Sequence, residues 1–230
     1  MADAPLPQCA LCPIDWSERF CRAGKGKAPK NCPSLRLRGL TEDAQARTTS
    51  PELAPFAKAA SIQEATCYEG REAGYDAVRA VKPRIVEIVE FARRMGYARL
   101  GLVFCIGLRK EAAIVHEILA VNGFEVASVS CKVGGVSKAV LGIGPEDQVD
   151  PGAAHETMCN PVMQALAVNA ANTDFNVLLG LCVGHDSLFF KHAEAMGTVL
   201  AVKDRVLGHN PLAAVHQYDS YYRYLKKPLP

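Results

Sequence analysis

The sequence predicts an α/β protein built on a parallel sheet of about four strands, with helices on both faces. From Arg99 onward, short apolar segments alternate with segments of helical periodicity, which is the pattern of strand–helix–strand units. The predicted strands are apolar along their length, as expected of parallel strands covered on both faces. Four cysteines in a glycine- and proline-rich N-terminal stretch predict a small cysteine-rich knuckle in front of the sheet.

The chain divides into three predicted segments: a cysteine-rich metal-binding knuckle (1–33), a helical connector (34–97) and a parallel α/β domain (98–230). The knuckle has little periodic apolar pattern, so it cannot bury enough apolar surface to fold without a bound metal or a covalent cross-link. In the connector, Ser50 followed by Pro51 marks a helix start. A second helix is predicted from Lys82 until Gly96 ends the apolar periodicity.

In the α/β domain, strands and helices are predicted in alternation. The strands are assigned to 100–104, 124–130, 176–181 and 198–202, and the helices to 110–121, 161–171 and 185–195. This order predicts a Rossmann-like sheet, although the sequence contains neither a G-x-G-x-x-G motif nor a P-loop.

Composition narrows the class of protein. Of 230 residues, 49% are apolar and 22% are charged, as in an ordinary globular protein. A net charge of +2 gives no indication of a nucleic-acid or membrane partner. No apolar run reaches the roughly 20 residues of a membrane span, and the first nine residues lack the features of a signal peptide. We therefore expect a cytoplasmic protein.

The chain contains nine cysteines. Disulfides are rare in a reducing compartment, and core packing normally accounts for only one or two cysteines, so we expect most of them to bind metal. The first group has the spacing C-x2-C-x8-C-x10-C and consists of Cys9, Cys12, Cys21 and Cys32. Four thiolates suit zinc or an iron–sulfur cluster, and the spacing does not choose between them. Nearby basic residues are better explained as compensation for thiolate charge than as a docking patch for an acidic partner or nucleic acid.

The second group of cysteines lies where predicted strands end. Cys105, Cys131 and Cys182 follow the first, second and third strands. Because the carboxyl ends of parallel strands share one edge, where open α/β sheets bind ligands, we expect these thiols to converge. Three thiolates would hold a [4Fe–4S] cluster with one iron open, whereas four would close it.

Cys159 and Cys67 are less clearly placed. Cys159 precedes the helix that feeds the third strand, and we expect that helix to begin on the opposite edge unless the glycine-rich connection carries it around. If it is carried around, Cys159 is the fourth ligand. Cys67 has no partner spacing and is interpreted as a packing residue.

Other polar residues are expected at the same edge. His185 opens the helix after Cys182, and Asp204 and His209 follow the fourth strand. They are candidates for proton transfer or for binding an anionic substrate, alongside Lys203 and Arg205. Helix capping and ordinary turn polarity are the alternative explanation.

A competing motif overlaps this region. Residues 180–184 fit G-x-C-x-G, a cysteine version of the nucleophile elbow, and Asp204 and His209 follow in the order of a hydrolase triad. This alternative leaves the strand-end Cys105 and Cys131 without a role.

Several motifs carry a resemblance to a known family. They are Cys9-Ala-Leu-Cys12, Asn31-Cys32-Pro33, residues 180–186 and residues 202–211. With them the chain resembles the predicted metal-binding family called domain of unknown function eighteen forty-seven, found mostly in archaea and anaerobic bacteria. The resemblance implies cysteine-bound metal at both groups, and the anaerobic setting favours iron–sulfur over zinc. It implies no reaction.

The leading interpretation is an iron–sulfur protein, working in electron transfer or in cluster-dependent redox or lyase chemistry. It would need a redox partner protein, and its small-molecule substrate is not indicated by the sequence. The alternative is a non-catalytic zinc-binding or metal-delivery protein.

Overall fold

The computed structural model describes residues 6–229. The chain divides into two compact units, Met1–Ile62 and Gln63–Pro230. Residues 1–5, which begin the predicted knuckle, and residue 230, which ends the predicted α/β domain, lie outside the described residues.

The N-terminal unit consists of short turns followed by helices. Two 3-10 turns, Cys9–Leu11 and Trp16–Glu18, precede them. The helices are α1 (Phe20–Ala23), α2 (Pro33–Arg36), α3 (Arg38–Thr48) and α4 (Ala54–Thr66), the last of which continues into the second unit. No residue of the two turns or of α1–α3 is buried, so apolar burial contributes little to holding this part together.

The predicted helical connector is interrupted. Strands β1 (Tyr68–Glu69) and β2 (Arg79–Ala80) form a small antiparallel ribbon before α5 (Arg84–Arg94). Between the two strands, Gly70 and Gly74 have φ values of 76° and 94°, outside the range of a right-handed helix. The sequence analysis predicted helices on both sides of this ribbon but not the ribbon itself.

The second unit is built around a four-stranded parallel sheet. The strands are β3 (Arg99–Phe104), β4 (Glu125–Ser130), β5 (Phe175–Leu181) and β6 (Gly197–Val202). The helices are α6 (Arg109–Val121), α7 (Pro161–Ala170), α8 (His185–His192) and α9 (Leu212–His216). Helix α9 was not predicted; the other bounds differ from the predicted ones by three residues at most, and the predicted fold class is confirmed.

The order of the strands creates a switch point. The sheet runs β4-β3-β5-β6, and every neighbouring pair is parallel. The connection from β3 leads to β4 on one side of the sheet, whereas the connection from β5 leads to β6 on the other side. Because both connections are right-handed crossovers, α6 lies on one face of the sheet and α7 and α8 lie on the other. In open α/β sheets, ligands bind outside the carboxyl ends of the strands at such a point.

The core lies between β3, β5 and the helices α7 and α8. All seven residues of β5 are buried. Val103 and Leu178 of the sheet pack with Val168 and Phe189 of the helices. Within residues 6–229, no helix combines the length and the apolar character needed to cross a bilayer.

Candidate metal centres

Three cysteine thiols meet at the carboxyl edge of the sheet. Cys131 lies in the middle: its Sγ is 3.7 Å from Cys159 Sγ, and it also hydrogen-bonds with Cys105. Cys105 follows β3 and Cys131 follows β4, and the Cys131 amide donates to Phe104 O at 2.8 Å. We call these three residues the sheet-edge centre. Cys105 and Cys131 therefore lie close together at this edge, as the positions of the strand ends predict.

Cys159 reaches this centre from the start of α7. The Asn160 amide donates to Cys131 O at 2.8 Å, and Ser137 and Thr157 form an antiparallel bridge that turns the long loop back. The expectation that α7 would begin on the opposite edge was wrong. A helix that leads into a parallel strand runs antiparallel to that strand, so its N-terminus lies at the carboxyl edge.

The protons of the centre are unevenly distributed. Hydrogen bonds with Cys105 and Cys159, together with burial, raise the pKa of Cys131 above its usual value. The bond from Cys131, supported by the Gly107 amide and Lys203, lowers the pKa of Cys105 to about 5. The bond from Cys131, followed by one from His185, lowers the pKa of Cys159 to about 4. Cys131 thus keeps its proton while both neighbours are thiolates at neutral pH.

Cys182 also lies at this edge but has a different partner. Arg205 donates to Cys182 Sγ at 3.1 Å. The register of β5 against β6 shifts around Gly180, which has a φ of 68°, and a side chain there would collide with Leu108. Bulges of this kind redirect the side chains that follow. Cys182 is accordingly paired with a guanidinium group rather than with a sulfur.

The three predicted catalytic residues do not form one group in the structure. His185, the first residue of α8, hydrogen-bonds with Cys159, whose thiolate raises the pKa of the imidazole. Asp204 accepts from the amides of Val206 and Leu207 at 3.0 and 2.8 Å. The Asp204 amide in turn donates to His209 Nδ1 at 3.2 Å. His185 therefore belongs to the thiol centre, whereas Asp204 and His209 stabilise their own turn.

The nucleophile-elbow motif does not take elbow geometry. An elbow holds its nucleophile in a strained turn, but the non-glycine residues with positive φ in residues 6–229 are Asn172 and His209. Cys182 is not among them.

The four N-terminal cysteines line one small cavity. Its volume is about 60 Å³, and its walls include Cys9, Cys12, Cys21 and Cys32. The Cys12 amide bonds to Cys9 O at 3.3 Å within a 3-10 turn. The Arg19 guanidinium donates to Ile14 O at 2.7 Å and to Cys12 O at 3.1 Å, which fixes the loop between the first two cysteines and α1.

The donor atoms are near one another without forming a complete coordination shell. Within residues 6–229, no group of three or more His, Cys, Asp or Glu side chains could hold a metal ion as it stands. The chemistry of the donors nevertheless fits a thiophilic ion. Two thiolates bound tetrahedrally at about 2.3 Å from zinc lie about 3.8 Å apart, close to the 3.7 Å between Cys131 and Cys159.

Sequence reasoning missed one residue beneath the centre. Gln164 of α7 is fully buried, and its Nε2 donates to Phe104 O and Val129 O at 3.2 and 2.8 Å. The signal was available as a lone amide in an otherwise apolar helix, but amphipathic periodicity does not reveal what such a residue bonds.

Cys67 stands apart from both groups. It is buried, it donates to Gln63 O at 3.0 Å, and burial raises its pKa. This environment agrees with its interpretation as a packing residue.

Together, the switch-point sheet and the cluster of thiols define a cysteine-rich parallel α/β protein. The chain belongs to the family described as "Protein of unknown function (DUF1847)", whose model matches residues 32–200. This confirms the family predicted from the motifs. The matched region includes the sheet-edge centre and His185, but it excludes Cys9, Cys12, Cys21 and the motif at 202–211.

A curated relative supports the same assignment. An uncharacterized protein of Methanocaldococcus jannaschii is 47% identical over 148 residues, which make up 64% of this chain and 72% of the relative. No solved structure matches the chain significantly.

Proposed function

We propose that this protein is a cysteine-ligated metalloprotein whose principal metal is bound by Cys105, Cys131 and Cys159. The observation that carries the proposal is the contact among three thiols drawn from widely separated parts of the chain. If these cysteines were only buried packing residues, there would be no reason for their thiols to lie together, or to do so at the topological switch point of the sheet. Proximity there is what a shared ligand would demand.

The spacing of the sulfurs supports a single four-coordinate ion of the zinc class. Two sulfurs bound to one zinc ion lie as far apart as Cys131 and Cys159 do. In a [4Fe–4S] cluster each cysteine binds a different iron, so the sulfurs would have to move apart. We therefore place the zinc-binding or metal-delivery role first and the iron–sulfur role second.

The protons of the centre indicate how an ion would enter. The thiolates of Cys105 and Cys159 would attract a cation, and Cys131 would have to release its proton to solvent for its sulfur to serve as the third ligand. Metal binding at this centre is therefore coupled to proton release and weakens as the pH falls. Lys203, which hydrogen-bonds with Cys105, offsets part of the negative charge of the three thiolates.

The iron–sulfur alternative rests on a separate observation. Backbone amides point at two of the sulfurs: Ile106 N–H donates to Cys131 Sγ at 3.3 Å, and Gly107 N–H donates to Cys105. Hydrogen bonds of this kind tune the potential of iron–sulfur clusters. A cluster would require a redox partner protein, and its open iron would bind a small-molecule substrate.

The N-terminal cysteines form a second proposed site, for zinc or for a second cluster. All four line one cavity in a region that buries no side chain in its turns and first helices. We place the protein in the cytoplasm because none of its nine cysteines, all within the described residues, is in a disulfide.

Metal and sulfide analysis of protein purified without oxygen tests the proposal. The single-ion form predicts a colourless protein with stoichiometric zinc, whereas the cluster form predicts brown protein containing iron and acid-labile sulfide. Cys105→Ser, Cys131→Ser and Cys159→Ser should each lose the same metal equivalent. Cys67→Ser is the matched control and should keep it. Full metal retention in all three variants would contradict both forms.

A further inference from the structure

Three sulfurs leave one position open around a tetrahedral ion, and the structure offers a neighbouring nitrogen ligand. Helices α7 and α8 both lead into parallel strands and pack side by side, so their N-termini open at the same edge. Cys159 immediately precedes α7, and His185 is the first residue of α8. The His185 imidazole hydrogen-bonds with Cys159 and interacts electrostatically with Cys105.

The backbone holds His185 in this place. Gly184 adopts a φ of 84°, which turns the chain from β5 into α8. The His185 amide then donates to Cys182 O at 3.0 Å. Both features fix the first residue of the helix at the carboxyl edge of the sheet.

Other nearby donor groups are already engaged. Asp186 Oδ1 accepts the Ser187 amide at 2.8 Å, and the Asp204 carboxylate caps its own turn. Cys182 accepts a hydrogen bond from Arg205. Lys203 meets Cys105 as a hydrogen-bond donor, which suits charge compensation rather than ligation.

We propose that His185 is the fourth ligand and closes the sheet-edge centre as a Cys3His site around a single ion. This inference rests on the proposed function. A ring nitrogen of His185 would bind the metal in place of its present contact with the Cys159 sulfur, with the imidazole in its neutral form. A divalent ion with three thiolates carries one net negative charge, which Lys203 balances.

A closed shell has a functional consequence. Catalytic zinc sites keep one position for water or substrate, whereas structural sites fill all four with protein ligands. With His185 bound, this centre holds its metal rather than activating water, and an incoming ligand would have to displace the imidazole.

Cadmium NMR of the full-length protein tests the assignment. The protein is loaded with 113Cd and labelled with 15N-histidine, and Cys131→Ser identifies the resonance of the sheet-edge centre by removing it. We expect that resonance to show coupling to one histidine nitrogen in the unsubstituted protein. His185→Ala should abolish the coupling and shift this resonance upfield. His185→Cys should restore four protein ligands and shift it downfield.

His192→Ala is the matched control because His192 lies at the other end of α8 and is exposed. It should leave the resonance and its coupling unchanged. A sheet-edge resonance without histidine coupling in the unsubstituted protein would overturn the role of His185 while leaving the thiolate centre intact. If no resonance depended on Cys131, the proposed metal centre itself would fail. The coupling itself is read on unsubstituted protein, and the Cys131→Ser variant, checked for folding by circular dichroism, serves only to identify the resonance.

Discussion

At the scale of single residues, the central feature of the sheet-edge centre is that one cysteine, Cys131, lies between two cysteines whose pKa values are lowered. The pKa of Cys131 is raised by hydrogen bonds with Cys105 and Cys159 and by burial, with a smaller contribution from the charge of Cys159. Cys159 carries that charge with help from His185 and, at longer range, from Lys132. The centre is therefore partly ionised before any cation arrives.

We predict that Cys159 in metal-free protein keeps its reactivity at acidic pH. Its pKa is lowered to about 4, so its thiolate population is almost constant between about pH 8 and about pH 6. A thiol with an ordinary pKa of about 8.5 loses roughly 80-fold of its thiolate over the same interval. Iodoacetamide labelling read by peptide mass spectrometry should show a rate at Cys159 that changes by less than about twofold.

The same cysteine in denaturant is the control for this measurement. Unfolding separates Cys159 from Cys131 and His185, so its labelling should then follow the ordinary thiol and fall steeply. An equally steep fall in the folded protein would show that Cys159 is not held as a thiolate.

At the scale of elements, the N-terminal end of helix α7 organises the centre. Cys159 immediately precedes the N-cap of α7 and lies next to Cys131, and Gln164 in the first turn hydrogen-bonds to the sheet. The two carbonyls that Gln164 binds belong to the last residue of β3 and to the penultimate residue of β4. One side chain therefore ties together the strands that carry Cys105 and Cys131.

We predict that Gln164→Leu destabilises the protein by about 1–3 kcal/mol. The substitution keeps most of the buried volume but removes two hydrogen bonds to buried carbonyls. Denaturant unfolding of metal-free protein should show the loss as a lower midpoint. Met163→Leu, at the neighbouring and more exposed position of α7, is the control and should change the free energy of unfolding by well under about 1 kcal/mol. Equal changes in the free energy of unfolding for the two substitutions would show that the hydrogen bonds of Gln164 do not stabilise the protein.

At the scale of the whole molecule, the two compact units differ in what stabilises them. The sheet of the second unit has a continuous apolar core around β5. The cysteine-rich turns of the first unit have no buried residue, so a metal bound by Cys9, Cys12, Cys21 and Cys32 would be their main constraint.

We predict that chelation exposes residues 6–33 to protease while residues 98–229 stay intact. Loss of the metal would remove the cross-links between the N-terminal turns, whereas the sheet would keep its apolar core. Limited proteolysis with mass spectrometry of the fragments provides the measurement. A full-length Cys9→Ser, Cys12→Ser variant should already be cleaved in this region without chelator. Digestion that does not respond to chelation would show that these turns are held by other means.

The sequence by itself determined the parallel sheet, its strand positions and the edge at which Cys105 and Cys131 appear. Apolar runs alternating with helical periodicity mark where strands begin and end, and in a parallel sheet all carboxyl ends share one edge. Periodicity also identified α5 to within a few residues. It did not predict the ribbon of β1 and β2, because two-residue strands carry too little pattern to recognise.

Only the tertiary structure decided which thiols meet. The path of the 131–160 loop and the direction of α7 bring Cys159 into the centre, although it is remote from Cys105 in sequence. The irregularity at Gly180 directs Cys182 toward Arg205, and Gln164 acquires its role from carbonyls on two other strands. Spacing along a chain fixes where a residue falls on its own element. The direction of its side chain and the identity of its neighbours depend on backbone bends and on contacts between elements that local pattern does not encode.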